Sequence, residues 1–186
     1  MNFKPLAAAL LLTGCAMSSH AGVYTYYTDA AANATYGDGI SGASPLQGPL
    51  LLSTGEQFTV STDASQIWDG AFASDPNYWM YHGNADGSSP WTFDLPGLSG
   101  VQVGTLVADI DGVYAYIGAG THTFTAWGDG ALEFHYADVN NFDNSGVVMS
   151  QVTVPEPASL ALVVLALGGA GWARRRTRRS ALPCGA

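Results

Sequence analysis

The nine residues from Asp138 to Gly146 read Asp-Val-Asn-Asn-Phe-Asp-Asn-Ser-Gly. Five of them, Asp138, Asn140, Asn141, Asp143 and Asn144, end in the carboxylate and amide oxygens that a hard cation such as calcium takes as ligands. The stretch lies between two strand patterns, so it is expected to be a loop at one end of a β domain. The same residue types are also ordinary turn formers, tolerant of left-handed backbone and able to cap their own amides. Composition alone leaves both readings open. A second polar group, His82 with Asn84 and Asp86, lies in a Gly-rich stretch. A loop histidine of this kind is commonly just solvated. Trp68, Trp79, Tyr81 and Trp91 fall in the same loop-rich middle, where rings either stack on sugar faces or fill a core.

Nothing in the chain nominates an enzyme. There is no Gly-x-Ser-x-Gly elbow, no His-Glu-x-x-His, no Walker loop and no glycine fingerprint after a strand. Paired carboxylates hydrolyse glycosides, but no spacing singles out a pair among the acids here. Glu133 and His135 point the same way from one strand pattern. Lacking a third convergent ligand, they read as an exposed strand face.

The elements that must position these groups are strands. Short runs rich in Val, Thr, Tyr, Phe and Trp alternate with Gly, Asn, Asp and Ser. The expected strands are 23–28, 57–62, 101–110, 113–117, 122–127, 131–136 and 147–153. Several alternate with period two; Leu132, Phe134 and Tyr136 oppose Glu133 and His135. Asp111-Gly112 and Gly128-Asp129-Gly130 read as turns between antiparallel neighbours. Outside the two ends no stretch has helical amphipathicity. Seven or eight short strands with an aromatic-rich interior predict an all-β, two-sheet antiparallel β-sandwich over 22–153. Its core is expected over 50–153 and a loop-rich lead-in over 22–49. The small, polar run 28–46 is expected to be an ordered linker or long loop.

Charge is distributed without balance. The chain holds 15 Asp and Glu against 6 Lys and Arg. Lys4 lies near the start, and the five arginines are Arg174, Arg175, Arg176, Arg178 and Arg179. Of the fifteen acids only Glu156 falls outside 22–153, so that domain carries fourteen acids and no strong base. Phosphate would be repelled, which excludes nucleic acid as a partner. Cys15 and Cys184 both lie outside the domain, which must fold without a disulfide.

The two ends read as targeting segments. Residues 1–21 have one positive charge, an apolar run from Leu6 to Thr13, and the small-x-small sequence Ser19-His20-Ala21, which predicts a signal peptide cut before Gly22. Leu12-Thr13-Gly14-Cys15 is a competing lipobox-like cut. At the other end Val154-Pro155-Glu156-Pro157 precedes sixteen uncharged residues, Ala158 to Ala173, and then the arginine cluster. Arginines stay cytoplasmic, so this order stops transfer and leaves the acidic domain outside. Sixteen helical residues at about 1.5 Å each span roughly 24 Å, short of a ~30 Å hydrocarbon core, which suits a temporary anchor.

This tail, 154–179, resembles the PEP-CTERM sorting signal, and 180–186 is a short cytoplasmic extension. The resemblance implies an exosortase-like processing enzyme as partner, a precursor tethered to the inner membrane by its C-terminal helix, and release to the cell surface or extracellular matrix. A second resemblance covers about residues 56–154. Gly104 to Gly112, Tyr116-Ile117-Gly118, Gly130 to Phe134, and the Asp138 to Gly146 loop followed by Val152-Thr153-Val154 resemble the galactose-binding-like β-sandwich of the PA-I galactophilic lectin. That resemblance implies calcium as cofactor and a galactoside-like glycan or extracellular polysaccharide as ligand, with His82, Asn84 and Asp86 as the loop that flanks the sugar. By position, Asp138 matches the leading aspartate and Asp143 with Asn144 the final pair. A main-chain carbonyl near Trp68 or Asp69 would add a further ligand. The loop is two residues shorter than the family's, so Asn140 and Asn141 are alternatives for the middle ligand. A non-sugar-binding acidic matrix protein is the alternative function.

Overall fold

The computed structural model describes residues 22–70, 81–87 and 89–156. The expected signal peptide, Pro157, the apolar tail helix and the arginine cluster lie outside the described residues, as does Trp79. Residues Gly22–Pro155 form one compact unit. Its strands are β1 (Gly22–Asp29), β2 (Leu51–Leu52), β3 (Gln57–Thr62), β4 (Trp68–Gly70), β5 (Tyr81–Gly83), β6 (Thr92–Leu95), β7 (Leu98–Gln102), β8 (Leu106–Ile110), β9 (Val113–Tyr116), β10 (Gly120–Thr125), β11 (Gly130–Ala131), β12 (Glu133–Tyr136), β13 (Asn144–Ser145) and β14 (Val147–Val154). Every ladder between these strands is antiparallel, so the fold is all-β.

The largest sheet runs β1-β14-β3-β10. Its register is set by alternation. Val148, Ser150, Val152 and Val154 of β14 turn inward with Phe58, Val60 and Thr62 of β3, while Gln151, Thr153 and Ser61 face out. A one-residue slip would exchange the two sets, which is why the pairing is fixed. The polar pair inside this stripe is satisfied internally, Thr62 Oγ1 lying 2.8 Å from Ser150 Oγ. β1 pairs with β14 along its whole length, Gly22 opposite Val154 and Asp29 opposite Val147.

A second sheet runs β12-β8-β9. Its Leu106, Ala108, Ile110, Phe134 and Tyr136 meet the inward stripe of the first sheet in one core, with Tyr26 and Phe134 at a centroid separation of 4.6 Å. Its other face is not open. Val107 and Tyr114 pack there with Leu95 and Val101 of the β6–β7 hairpin. β8 is therefore apolar on both faces, as a strand covered on both sides must be.

Two expectations are revised. The run 101–110 is two strands, because Val103-Gly104-Thr105 breaks the ladder where Gly104 takes φ 90°. Glu133 and His135 do not form an exposed face. His135 is 6% exposed, since the face it shares with Val107 is the one that carries the hairpin's cluster. The run 28–46 is an ordered loop after the end of β1, as expected, and isolated bridges from Ala34 to Tyr136 and from Ala43 to Phe134 tie it to the second sheet. The Asp111-Gly112 turn is as expected: φ is 55° and 77°, and Ile110 faces Val113 across a two-residue connection.

Candidate functional site

A short three-stranded sheet, β13-β4-β5, gathers the polar candidates. Asn144 lies opposite Gly70 and Ser145 opposite Asp69, which ties the end of the Asp138–Gly146 loop to β4. Two glycines permit this approach. A Cβ on Gly146, whose φ is 99°, would fall 2.9 Å from Trp68 Cα, and one on Gly70 would strike the Tyr136 hydroxyl. Trp68 itself is anchored by its indole N–H, which donates to the Gly104 carbonyl at 2.8 Å. Its ring meets Tyr136 edge-on at 4.6 Å.

The start of the loop is clamped from the other side. The Thr35 hydroxyl donates to the Asp138 carbonyl at 2.6 Å, and the Asp138 amide donates back to Thr35 Oγ1 at 3.0 Å. Asp138 is 5% exposed. Burial pushes its carboxyl above the usual carboxylate range, and the nearby Asp143 adds to the rise. The main-chain N–H groups of Val139 and Asn140 and the Asn144 amide oppose it. Asn144 is 8% exposed and its Nδ2 donates to the carbonyls of Ala30 and Asn140 at 3.2 and 3.0 Å.

Three side-chain oxygens of the loop are buried with no hydrogen-bond partner: Asn140 Oδ1, Asp143 Oδ1 and Asn144 Oδ1. Asn141 differs. Its Nδ2 donates to the Asp38 carbonyl at 3.0 Å and its side chain packs against Gly37, so it fastens the loop to the lead-in. Between the two alternatives for the middle position, the orphaned buried oxygen belongs to Asn140. The apolar residues of the loop go the opposite way: Val139 is 59% and Phe142 71% exposed. The loop thus turns oxygens in and carbon out, the reverse of an ordinary surface turn.

His82 stands on β5 opposite Asp69 of β4. Its Nδ1 lies 2.6 Å from Asp69 Oδ1. The register puts it on the same small sheet as Asn144. Asn84 and Asp86 do not join it. Asn84 Oδ1 accepts the Asp86 amide at 3.0 Å, which makes a local turn. Asp86 Oδ1 accepts the Ala119 amide at 2.7 Å and the Tyr116 hydroxyl at 3.1 Å, so this carboxylate is a tie between loops. The Asp69 carboxylate is a partner that the sequence does not reveal, since it nominates only a main-chain carbonyl near Trp68 or Asp69 and a lone aspartate in a three-residue strand leaves no periodic signal.

At the C-terminal end of the domain β14 runs through Val154, which is 3% exposed and part of the core, while Pro155 and Glu156 are exposed. Residues 153–179 match the family model of the PEP-CTERM protein-sorting motif. The chain carries a PEP-CTERM sorting motif. That motif marks an exported, exosortase-processed surface protein, and its first two residues, Thr153 and Val154, are built into β14. Among solved structures, one described as the EclA N-terminal domain, a PllA-like lectin, aligns with a TM-score of 0.46 at 16% identity, covering 70% of this chain and 95% of that one. None of the curated proteins matches the chain.

Proposed function

We propose that the domain is a non-enzymatic carbohydrate-binding module of the galactose-binding-like β-sandwich type. It holds calcium in the Asp138–Asn144 loop and binds a galactoside-like glycan or extracellular polysaccharide through that ion. Exosortase processing delivers it to the cell surface or the surrounding matrix. The supporting observation is the set of three orphaned buried oxygens, on Asn140, Asp143 and Asn144, beside the buried carboxylate of Asp138. Each unsatisfied buried polar group costs about 1–3 kcal/mol. A single divalent cation taking oxygen ligands removes all of these costs together and neutralises two carboxylates, Asp138 and Asp143, that otherwise repel each other.

Asp138, Asn140, Asp143 and Asn144 would hold the ion, with a main-chain carbonyl of the Trp68-Asp69 segment and water completing the six to eight oxygens that calcium takes. His82, oriented by Asp69, is the neighbouring group suited to a sugar hydroxyl. Binding to the native state alone stabilises it by roughly 2.7 kcal/mol at a hundredfold excess over the dissociation constant. Calcium should therefore raise the melting temperature of the purified full chain by several degrees. Asp143→Ala should abolish most of that rise, and magnesium, which demands a tighter octahedral cage, should produce less of it. A wild-type melting temperature indifferent to calcium would sink the reading.

A second reading rests on the fourteen acids and absent Lys and Arg of the domain. Such a surface can act as a purely structural matrix protein bridged by calcium, with no sugar contact. A glycan array with and without chelator separates the two. Chelator-sensitive glycan signal supports the lectin-like module, and an empty array supports the matrix protein.

A further inference from the structure

The two edges of the β1-β14-β3-β10 sheet are treated differently. β1 is covered by the lead-in. The Leu46 amide donates to the Thr25 carbonyl at 3.0 Å, the Thr25 amide donates to Gln47 Oε1 at 3.2 Å, and Tyr26 bridges to Pro45. β10, at the other end, has β3 as its only strand partner among the described residues. Its six residues, Gly-Thr-His-Thr-Phe-Thr, pair with β3 without a bulge and hold no proline, acid, lysine or arginine. Charge, proline, bulges and covering loops are the devices that keep an edge strand from pairing with another chain. β10 has none of them among the described residues. On its outer face Thr121, Thr123 and Thr125 are exposed. There Thr123 Oγ1 lies 2.9 Å from Thr59 Oγ1, and Thr121 Oγ1 lies 2.9 Å from Ser61 Oγ.

We infer that β10 pairs with β10 of a second copy of this chain, antiparallel and about a two-fold axis beside Thr123. The strand is self-complementary in that register. Thr123 meets its own counterpart, Thr121 meets Thr125, and His122 meets Phe124, so every residue keeps to its own side of the sheet. The outer face then extends the hydroxyl ladder that already joins β3 to β10. A hydroxyl both donates and accepts, so a bond to Thr59 or Ser61 leaves capacity for a partner on the far side. On the inner face each Phe124, whose ring stacks on Phe58 at 5.6 Å, gains the other copy's imidazole as a neighbour. A two-fold pair uses both open edges at once, so it closes at a dimer.

Charge favours a second copy as the occupant. The domain has fourteen acids and no strong base, so a basic partner would be drawn to the acids and gain little from an uncharged edge. Two copies repel overall, yet the strands that meet here bring no charge together. Glu56 and Asp63 flank β3, and Asp86 accepts the Ala119 amide beside β10. Their repulsion between copies acts through solvent, so the pair tightens as salt screens it. A contact this short is weak and reversible. It is independent of the carbohydrate site, and neither stands or falls with the other.

The test uses the full chain in mild detergent. Sedimentation velocity over a concentration series compares the wild type with Thr123→Lys, which sets like charges opposite each other on the axis. The expected result is a reversible monomer–dimer equilibrium that tightens with salt. Thr123→Lys weakens it by about tenfold, the factor that ~1.4 kcal/mol carries, at a nearly unchanged melting temperature. On mild oxidation Thr123→Cys should cross-link to its counterpart. Thr59→Cys, one strand inward, should not, each scored over the background that Cys15 and Cys184 give in the wild type. A wild-type chain that is monomeric throughout the series overturns the pairing. So does a dimer that a folded Thr123→Lys leaves intact, since it is then held by another surface such as the apolar tail. Should Thr123→Lys melt far below the wild type, the Thr123→Cys cross-link decides: its presence keeps the pairing and its absence removes it.

Discussion

Both ring nitrogens of His135 are buried without a hydrogen-bond partner, its Nε2 lying 4.0 Å from Asp109 Oδ2 and its ring 5.5 Å from Tyr114. Burial pushes its pKa below the ordinary 6.5, opposed by the Ala34 main chain, Asp109, Glu133 and the Asn33 main chain. The unfolded chain therefore takes up this proton at a higher pH than the native state. The contribution to stability is full above the unfolded value and drains away as pH falls below it. His135→Phe keeps a planar ring and removes both the proton uptake and the orphaned nitrogens. Melting temperatures between about pH 7.5 and 5 should fall less steeply in this variant than in the wild type; parallel curves would show that His135 has no part in the acid loss. Residue periodicity was informative here only in part. It gave the side of β12 from which His135 projects, yet not the hairpin cluster on that side, since burial depends on a distant segment. It likewise left Asn140 and Asn141 equivalent, and only the lead-in at Gly37 and Asp38 distinguishes them.

The long elements were legible because six to eight residues carry their own evidence; β1, β3 and β14 fall within a residue of their expected bounds. The strands that build the candidate site were not. β4, β5 and β13 have three, three and two residues, too few for any period to register. They exist because Trp68 is buried and the loop must close on it. The five oxygen-bearing residues were visible as a run in the sequence, whereas the seating of Asn144 opposite Gly70 depends on this pairing. Gly146 is the point where that dependence can be probed. Its φ of 99° and its approach to Trp68 leave no room for a side chain. Gly146→Ala is expected to cost more than ~1 kcal/mol and to weaken the calcium-dependent shift, because it pushes Asn144 and Ser145 off β4. Thermal melts with and without calcium measure both. A variant with unchanged melting would mean that the β4–β13 pairing is not needed to hold the loop.

At the scale of the whole molecule, charge and sorting dominate. The domain has no Lys or Arg to pair with its acids, and the arginines stand together beyond the apolar tail. That separation was legible at once, since it is a matter of composition by segment. The PEP-CTERM motif lies across the boundary, over 153–179. Replacing Pro155, Glu156 and Pro157 by alanine leaves the apolar segment and arginines intact but removes the recognition sequence. The variant should accumulate in the membrane fraction with its arginines attached, as fractionation and mass spectrometry would detect. Undiminished release into the medium would mean that another protease, and not an exosortase, frees the domain.

The full-length pairing of β1 with β14 also imposes an order of events. Gly22 lies opposite Val154 and Asp29 opposite Val147, so the first strand to leave the exporter has as its partner the last one to be delivered. Apart from its bridge to Pro45, β1 has β14 as its strand partner, and closing that pair means bringing together chain positions that are far apart, the slow kind of contact. Its sheet can close only when the stretch leading into the sorting signal has crossed, which makes completion of the fold a late report that the tail has arrived.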